Sequence, residues 1–175
     1  MERLKKPLRI LCCVTNDLNH DQRMQRICSS LTMANYRVTL IGRIRRNSSP
    51  TAPRDFTQER IRCPFERGGL FYAFFNLQLF IKLLFKPCEA ICAVDLDTLL
   101  PALLAAKLKR VKLIYDAHEY FTEVPELLDR PLVKKIWSML ASFAIPKADL
   151  AYTVGPALAR IFSERYGKPF GVIRN

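Results

Sequence analysis

His118 is one of only two histidines in the chain, and Asp116 and Glu119 flank it. The apolar run 111–115 (VKLIY) comes just before, so an imidazole and two carboxylates gather at the end of a candidate strand. A neutral imidazole in that position can accept a proton or donate to a sugar hydroxyl or a phosphate. The position suits a structural role equally well, with His118 capping a helix at Glu119 or bonding nearby backbone. Three other candidate strands also end in polar groups. Asn16, Asp17, His20, Asp21 and Arg23 follow 9–15 (RILCCVT), Asp95 and Asp97 follow 90–94 (AICAV), and Gly155 follows 150–154 (LAYTV). Arg23 and Arg26 lie three apart on one helical face, where they can hold a phosphate near a helix start or serve as solvated charge.

Asp95-Leu96-Asp97 has the spacing of a metal-binding D-x-D pair. Asp97, however, directly precedes Thr98-Leu99-Leu100, where a helix N-cap belongs, and a capping carboxylate is the expected reading. No metal is expected. Thr15 to Arg26 contains no glycine, so neither a G-x-G-x-x-G turn nor a Walker loop follows the first strand. A nicotinamide or flavin dinucleotide is thereby disfavoured, and no cofactor is expected. Cys12, Cys13, Cys28, Cys63, Cys88 and Cys92 include no C-x-x-C pair, which argues for reduced core thiols over zinc or disulfides. Cys12 and Cys13 are adjacent in a strand and must point to opposite faces.

The elements that position these groups follow from periodicity. Strands are expected at 9–15, 36–41, 59–63, 90–94, 111–115, 150–154 and 170–173. Helices are expected at 21–34, with Asn19 as N-cap, and at 69–86, 98–108, 132–144 and 156–166. Strands without polar alternation, separated by helices, imply an α/β, Rossmann-like, doubly wound and mostly parallel sheet with helices on both faces. In such a sheet ligands bind beyond the carboxyl ends of the strands, where the polar residues above are found.

The 175 residues suffice for a single domain over 1–175, and the composition is that of a folded globular chain. The net charge of +12 suits nucleic acid, anionic lipid, phosphorylated ligands or plain solubility. No basic and aromatic strand strip points to nucleic acid, and none is expected as a partner. No secretory signal is recognised, so a cytoplasmic location is expected. The helix at 70–85 is nearly all Leu, Phe, Ile and Tyr, which means burial or a membrane interface, with burial the expectation. Together with the basic stretch Arg37, Arg43, Arg45, Arg46 and Arg54, it suggests weak peripheral contact with the inner face of an anionic membrane.

Residues 15–43, 94–107 (VDLDTLLPALLAAK), 113–127 (LIYDAHEYFTEVPEL) and 148–167, with the final GVIRN, together resemble the amino-terminal domain of GT-B glycosyltransferases of the family-four, or group-one, kind. The resemblance implies one half of a GT-B architecture. It implies a retaining, metal-free transfer of a sugar, of hexosyltransferase type, from a nucleotide-sugar donor to a glycan or lipid-linked acceptor. This half would hold the acceptor, with the donor-binding carboxy-terminal domain outside the chain and the isolated domain inactive. His118 matches the family histidine near the transferred sugar, and Asp17 to Arg23 match the loop facing the donor phosphates. The loop lacks the glycine pair of many members. Asn16, Asp17, Asp21, Arg23, Asp95, Asp116, Glu119 and Gly155 are the candidate substrate-binding residues. A sugar-nucleotide epimerase of the same fold and a non-catalytic binding module are the alternatives.

Overall fold

The computed structural model describes residues 7–121 and 129–174. Seven strands form one sheet in the order β3-β2-β1-β4-β5-β6-β7. They are β1 (Arg9–Asp17), β2 (Arg37–Ile44), β3 (Thr57–Arg62), β4 (Ala90–Val94), β5 (Lys112–Ala117), β6 (Leu150–Thr153) and β7 (Gly171–Val172). Every neighbouring pair is parallel. Five α-helices are described: α1 (Gln22–Met33), α2 (Gly68–Phe85), α3 (Leu96–Lys109), α4 (Pro131–Ala144) and α5 (Pro156–Tyr166). This is the expected doubly wound architecture, with the sheet wholly parallel.

The two faces are unequally covered. On one, Met24 and Cys28 of α1 pack over Ile10, Cys12 and Val14 of β1. On the other, buried residues of α2, α3, α4 and α5 share a core with Leu11 and Cys13. Cys12 and Cys13 thus do enter opposite cores, and all six cysteines are free and buried. The chain runs outward from β1 to β3, then returns along α2 to start β4 on the other side of β1. The strand order therefore reverses between β1 and β4, where a doubly wound sheet leaves a crevice.

Several local expectations are corrected. Asp21, not Asn19, caps α1, because its carboxylate accepts the Met24 N–H at 3.0 Å. Asn19 instead donates to the Ser49 carbonyl at 2.9 Å. Helix α3 starts two residues before the expected Thr98. Asp95 occupies the cap position with φ 58° and ψ 173° and makes no side-chain cap bond. Asp97 is therefore not the cap. Helix α2 is neither wholly buried nor wholly exposed: Phe71, Phe75, Leu79 and Leu83 enter the core, while Leu70, Leu77, Ile81 and Phe85 lie outside.

The expected basic patch is also divided. Arg43 is buried, bonds Glu66 at 2.6 Å and stacks 4.2 Å from the Phe71 ring. Arg37 opens β2 while Arg45 and Arg46 follow its far end. At about 3.3 Å per residue, that strand separates them by more than about 20 Å. Gly42 lies where β2 meets the β1 loop. A Cβ there would fall 2.3 Å from Leu18 Cδ2 and 2.8 Å from the Asn16 carbonyl, so only glycine lets that loop close down.

Candidate functional site at the carboxyl edge of the sheet

The crevice at the strand reversal holds a cleft of about 450 Å³. Val14, Thr15 and Asn16 line it from the end of β1, Val94 and Asp95 from β4, and His118 and Glu119 from beyond β5. Arg23 of α1, Asp97 of α3 and Phe121 complete the wall.

Asp95 organises the centre. Its positive φ with extended ψ belongs almost solely to glycine, a strain of order 1–3 kcal/mol that surrounding contacts must offset. The Asp95 N–H donates to the Asp116 carbonyl at 2.8 Å. Its carboxylate accepts the backbone N–H of His118 at 2.9 Å and lies 3.3 Å from His118 Nδ1. His118 is thus oriented by Asp95 rather than capping a helix, and its Nε2 is buried with no hydrogen-bond partner among the described residues. Burial alone pushes the imidazole towards its neutral form, but the hydrogen bond and charge of Asp95 outweigh it and leave the pKa above its ordinary value.

Arg23 reaches down from α1 to Asp116, with Nη1 and Oδ2 2.5 Å apart. Asp116 is wholly buried and lies beneath the cleft rather than in its wall. Burial raises its pKa despite the hydrogen bond and charge of Arg23. Nε and Nη2 of Arg23 are buried without partners among the described residues, so the cleft wall carries N–H groups able to donate to an anion or hydroxyl.

Asp97 is the residue that sequence reasoning noticed but assigned to helix capping rather than to the site. It is buried and accepts from Thr15 Oγ1 at 2.6 Å. Burial, reinforced by the charges of Asp95 and Glu119, lifts its carboxyl to about 7. A cap assignment hid it, because the left-handed backbone of Asp95 is invisible to local pattern. Thr15, Val14, Val94 and Phe121 were also unmarked, and as apolar or neutral residues they carried no signal.

The remaining candidates divide. Asn16 lines the cleft and donates to Asp21 Oδ2 at 3.3 Å, while Asp21 itself serves as the α1 cap. Asp17 turns away towards the β2–β3 side, accepting from Asn19 N at 3.2 Å and from Ser48, with Arg60 4.0 Å distant. Those partners outweigh burial and lower its pKa. Gly155 is the α5 cap in extended backbone and is outside the cleft wall. Arg26 is exposed and does not join Arg23. Among the described residues no group of three or more His, Cys, Asp or Glu side chains is arranged to hold a metal.

The sequence pattern of Glycosyltransferase Family 4 matches residues 22–175. The chain belongs to this family. No curated protein matches it in sequence. Among solved structures, sucrose-phosphate synthase from Thermosynechococcus elongatus superposes with a TM-score of 0.65 at 11% identity, over 95% of this chain and 48% of that one. LpCGTa, solved in complex with UDP, gives 0.64 at 13% identity, over 91% and 48%. A putative UDP-N-acetylglucosamine 2-epimerase from Listeria monocytogenes gives 0.59 at 10%, over 95% and 44%. The chain spans about half the length of these structures, and its fold is that of an amino-terminal GT-B domain. In this family-four domain the cleft lies at the carboxyl ends of the central strands.

Proposed function

We propose that the cleft is the acceptor-side wall of a retaining glycosyltransferase that moves a sugar from a nucleotide-sugar to a glycan or lipid-linked acceptor. The observation that carries this reading is His118, held through Nδ1 by Asp95, with Nε2 at the cleft and unpaired among the described residues. Neutral Nε2 accepts a proton from a sugar hydroxyl, and protonated Nε2 donates to an anionic oxygen. Arg23 supplies N–H groups that are unpaired among the described residues and suited to phosphate or hydroxyl oxygens. A second domain would close the cleft and hold the nucleotide, so this chain alone would turn nothing over.

The test is His118→Ala in the full-length protein. Turnover should fall more than about tenfold with the melting temperature unchanged. An early-melting variant with unaltered rate per folded molecule would make the histidine structural. Steady turnover by the 175-residue chain alone would refute the half-site reading. The epimerase alternative draws support from fold neighbours in Listeria monocytogenes and Rickettsia bellii, at 10% and 9% identity. It predicts a sugar-nucleotide isomer without acceptor, where transfer predicts a glycoside only with acceptor.

A further inference from the structure

Helices α2, α3 and α4 lie side by side on one face of the sheet, with α3 packed between the other two. Each buries one stripe and leaves a second apolar stripe facing out. On α2 the outward stripe is Leu70, Phe74, Leu77, Ile81 and Phe85. On α3 it is Leu104 and Leu108, and on α4 it is Leu132, Ile136, Met139 and Phe143. Isolated exposed apolar residues need no explanation, but three adjacent stripes make a continuous apolar face.

The helices themselves carry almost only positive charge. Across the three helices the only acidic residue is Asp97, which is buried in the cleft. Lys107 of α3 and Lys135 of α4 are exposed beside the apolar stripes. Exposed Lys147, just after α4, lies 3.7 Å from the Phe143 ring centroid. Carboxylates reach its rim at Glu59, which is paired with Lys82 and Lys86, and at exposed Glu66 and Asp129, but Lys82, Lys86, Lys107, Lys135 and Lys147 outnumber them among the described residues. A net-cationic apolar face is complementary to an anionic lipid surface. It is ill suited to a second copy of the chain, which would set like charges against each other in a protein of net charge +12. Helix α2 is also long and apolar enough to cross a membrane, with mean hydropathy 1.5 over 18 residues. Its Phe71, Phe75, Leu79 and Leu83 are committed to the core, which leaves it lying on a surface rather than passing through one.

The face also communicates with the cleft. A groove between α2 and α4, bordered by Tyr72, Val133, Ile136 and Trp137, reaches Asp97 and Glu119. We propose that the outer face of α2, α3 and α4 docks on an anionic lipid surface, and that the groove brings an acceptor held in that surface to the cleft. The acceptor clause rests on the sugar-transfer reading, whereas the docking does not.

Sedimentation of the full-length protein with vesicles tests the docking without any transfer assay. One vesicle set is phosphatidylcholine alone, the other phosphatidylcholine mixed with phosphatidylglycerol. The protein should bind the mixed vesicles at low salt and leave them at high salt. Each cation near an anionic surface is worth about fivefold in partition, so Lys107→Glu with Lys135→Glu should weaken binding more than about twentyfold. Leu77→Asp with Ile81→Asp should abolish it. Arg26→Glu, exposed on α1 over the opposite face of the sheet, should change it by about threefold or less at 0.1 M salt, where charges beyond about 10 Å are screened. Melting curves confirm that each variant folds. Undiminished binding by both face variants overturns the proposal, as does equal loss in the off-face variant. Equal recovery with neutral vesicles, or no binding to either set, also overturns it. A lipid-free dimer dispersed by the Leu77 and Ile81 changes would assign the face to a second copy instead.

Discussion

Replacing Asp97 by Asn should stabilise the chain at pH 8 and leave it unchanged at pH 4. In the fold this carboxyl titrates near 7 rather than at its ordinary 3.8, chiefly because it is buried, with Asp95 and Glu119 adding repulsion. The folded state therefore binds a proton that the unfolded state has already released between those values. A raised carboxyl pKa makes stability fall as pH rises, and the loss is complete once pH exceeds about 7. At about 1.4 kcal/mol for each pH unit, holding Asp97 ionised at pH 8 costs the fold roughly 4 kcal/mol. Asparagine carries no such charge, and its Oδ1 can still accept from Thr15 Oγ1, now 2.6 Å from the carboxylate. For a domain of this size, 4 kcal/mol corresponds to a rise in Tm of about 8–16 °C. Asp116 and His118 also have raised pKa values, so the parent's own stability falls with rising pH for several reasons. The difference between variant and parent isolates Asp97. Thermal unfolding of both at pH 4, 6 and 8 measures it, and a difference that is flat with pH, or negative at pH 8, would refute the reasoning.

Three further outcomes are expected. Arg23→Met leaves wholly buried Asp116 without its cation and should destabilise the chain by about 3–5 kcal/mol, much of it recovered in Arg23→Met with Asp116→Leu, as urea unfolding would read. Asp95→Asn removes the charge that outweighs burial at His118, so the imidazole titration followed by NMR should move below 6.5, and an unchanged midpoint would discount Asp95 as the cause. Gly42→Ala drives a methyl into Leu18 and the Asn16 carbonyl and should cost about 1–3 kcal/mol while displacing the Asn16 side of the cleft. Equal stability of the Gly42 variant and parent by chemical unfolding would show that the loop yields freely.

Local pattern was enough to read much of the scaffold. The run AICAV is β4 without adjustment, because a strand buried on both faces needs an unbroken apolar run and nothing else. Residues 156–166 were equally legible, with Pro156 at the helix start and Gly167 at φ 62° ending it. The rule that ligands gather at carboxyl ends of strands brought His118, Asp95, Arg23 and Asn16 to notice, and all four line one cleft. What tertiary structure alone decided was partnership. Arg23 meets Asp116 across 93 positions and Thr15 meets Asp97 across 82. Such pairs depend on β1 lying between β2 and β4, an order that no window of local sequence encodes. Asp97 became a buried cleft carboxyl because the chain turns through a positive φ at Asp95, a turn held by the Asp116 carbonyl from the neighbouring strand. The exposed side of α2 follows from the same cause. Its composition is apolar almost all round, and only the sheet beneath it selects which stripe is buried and which is left facing out.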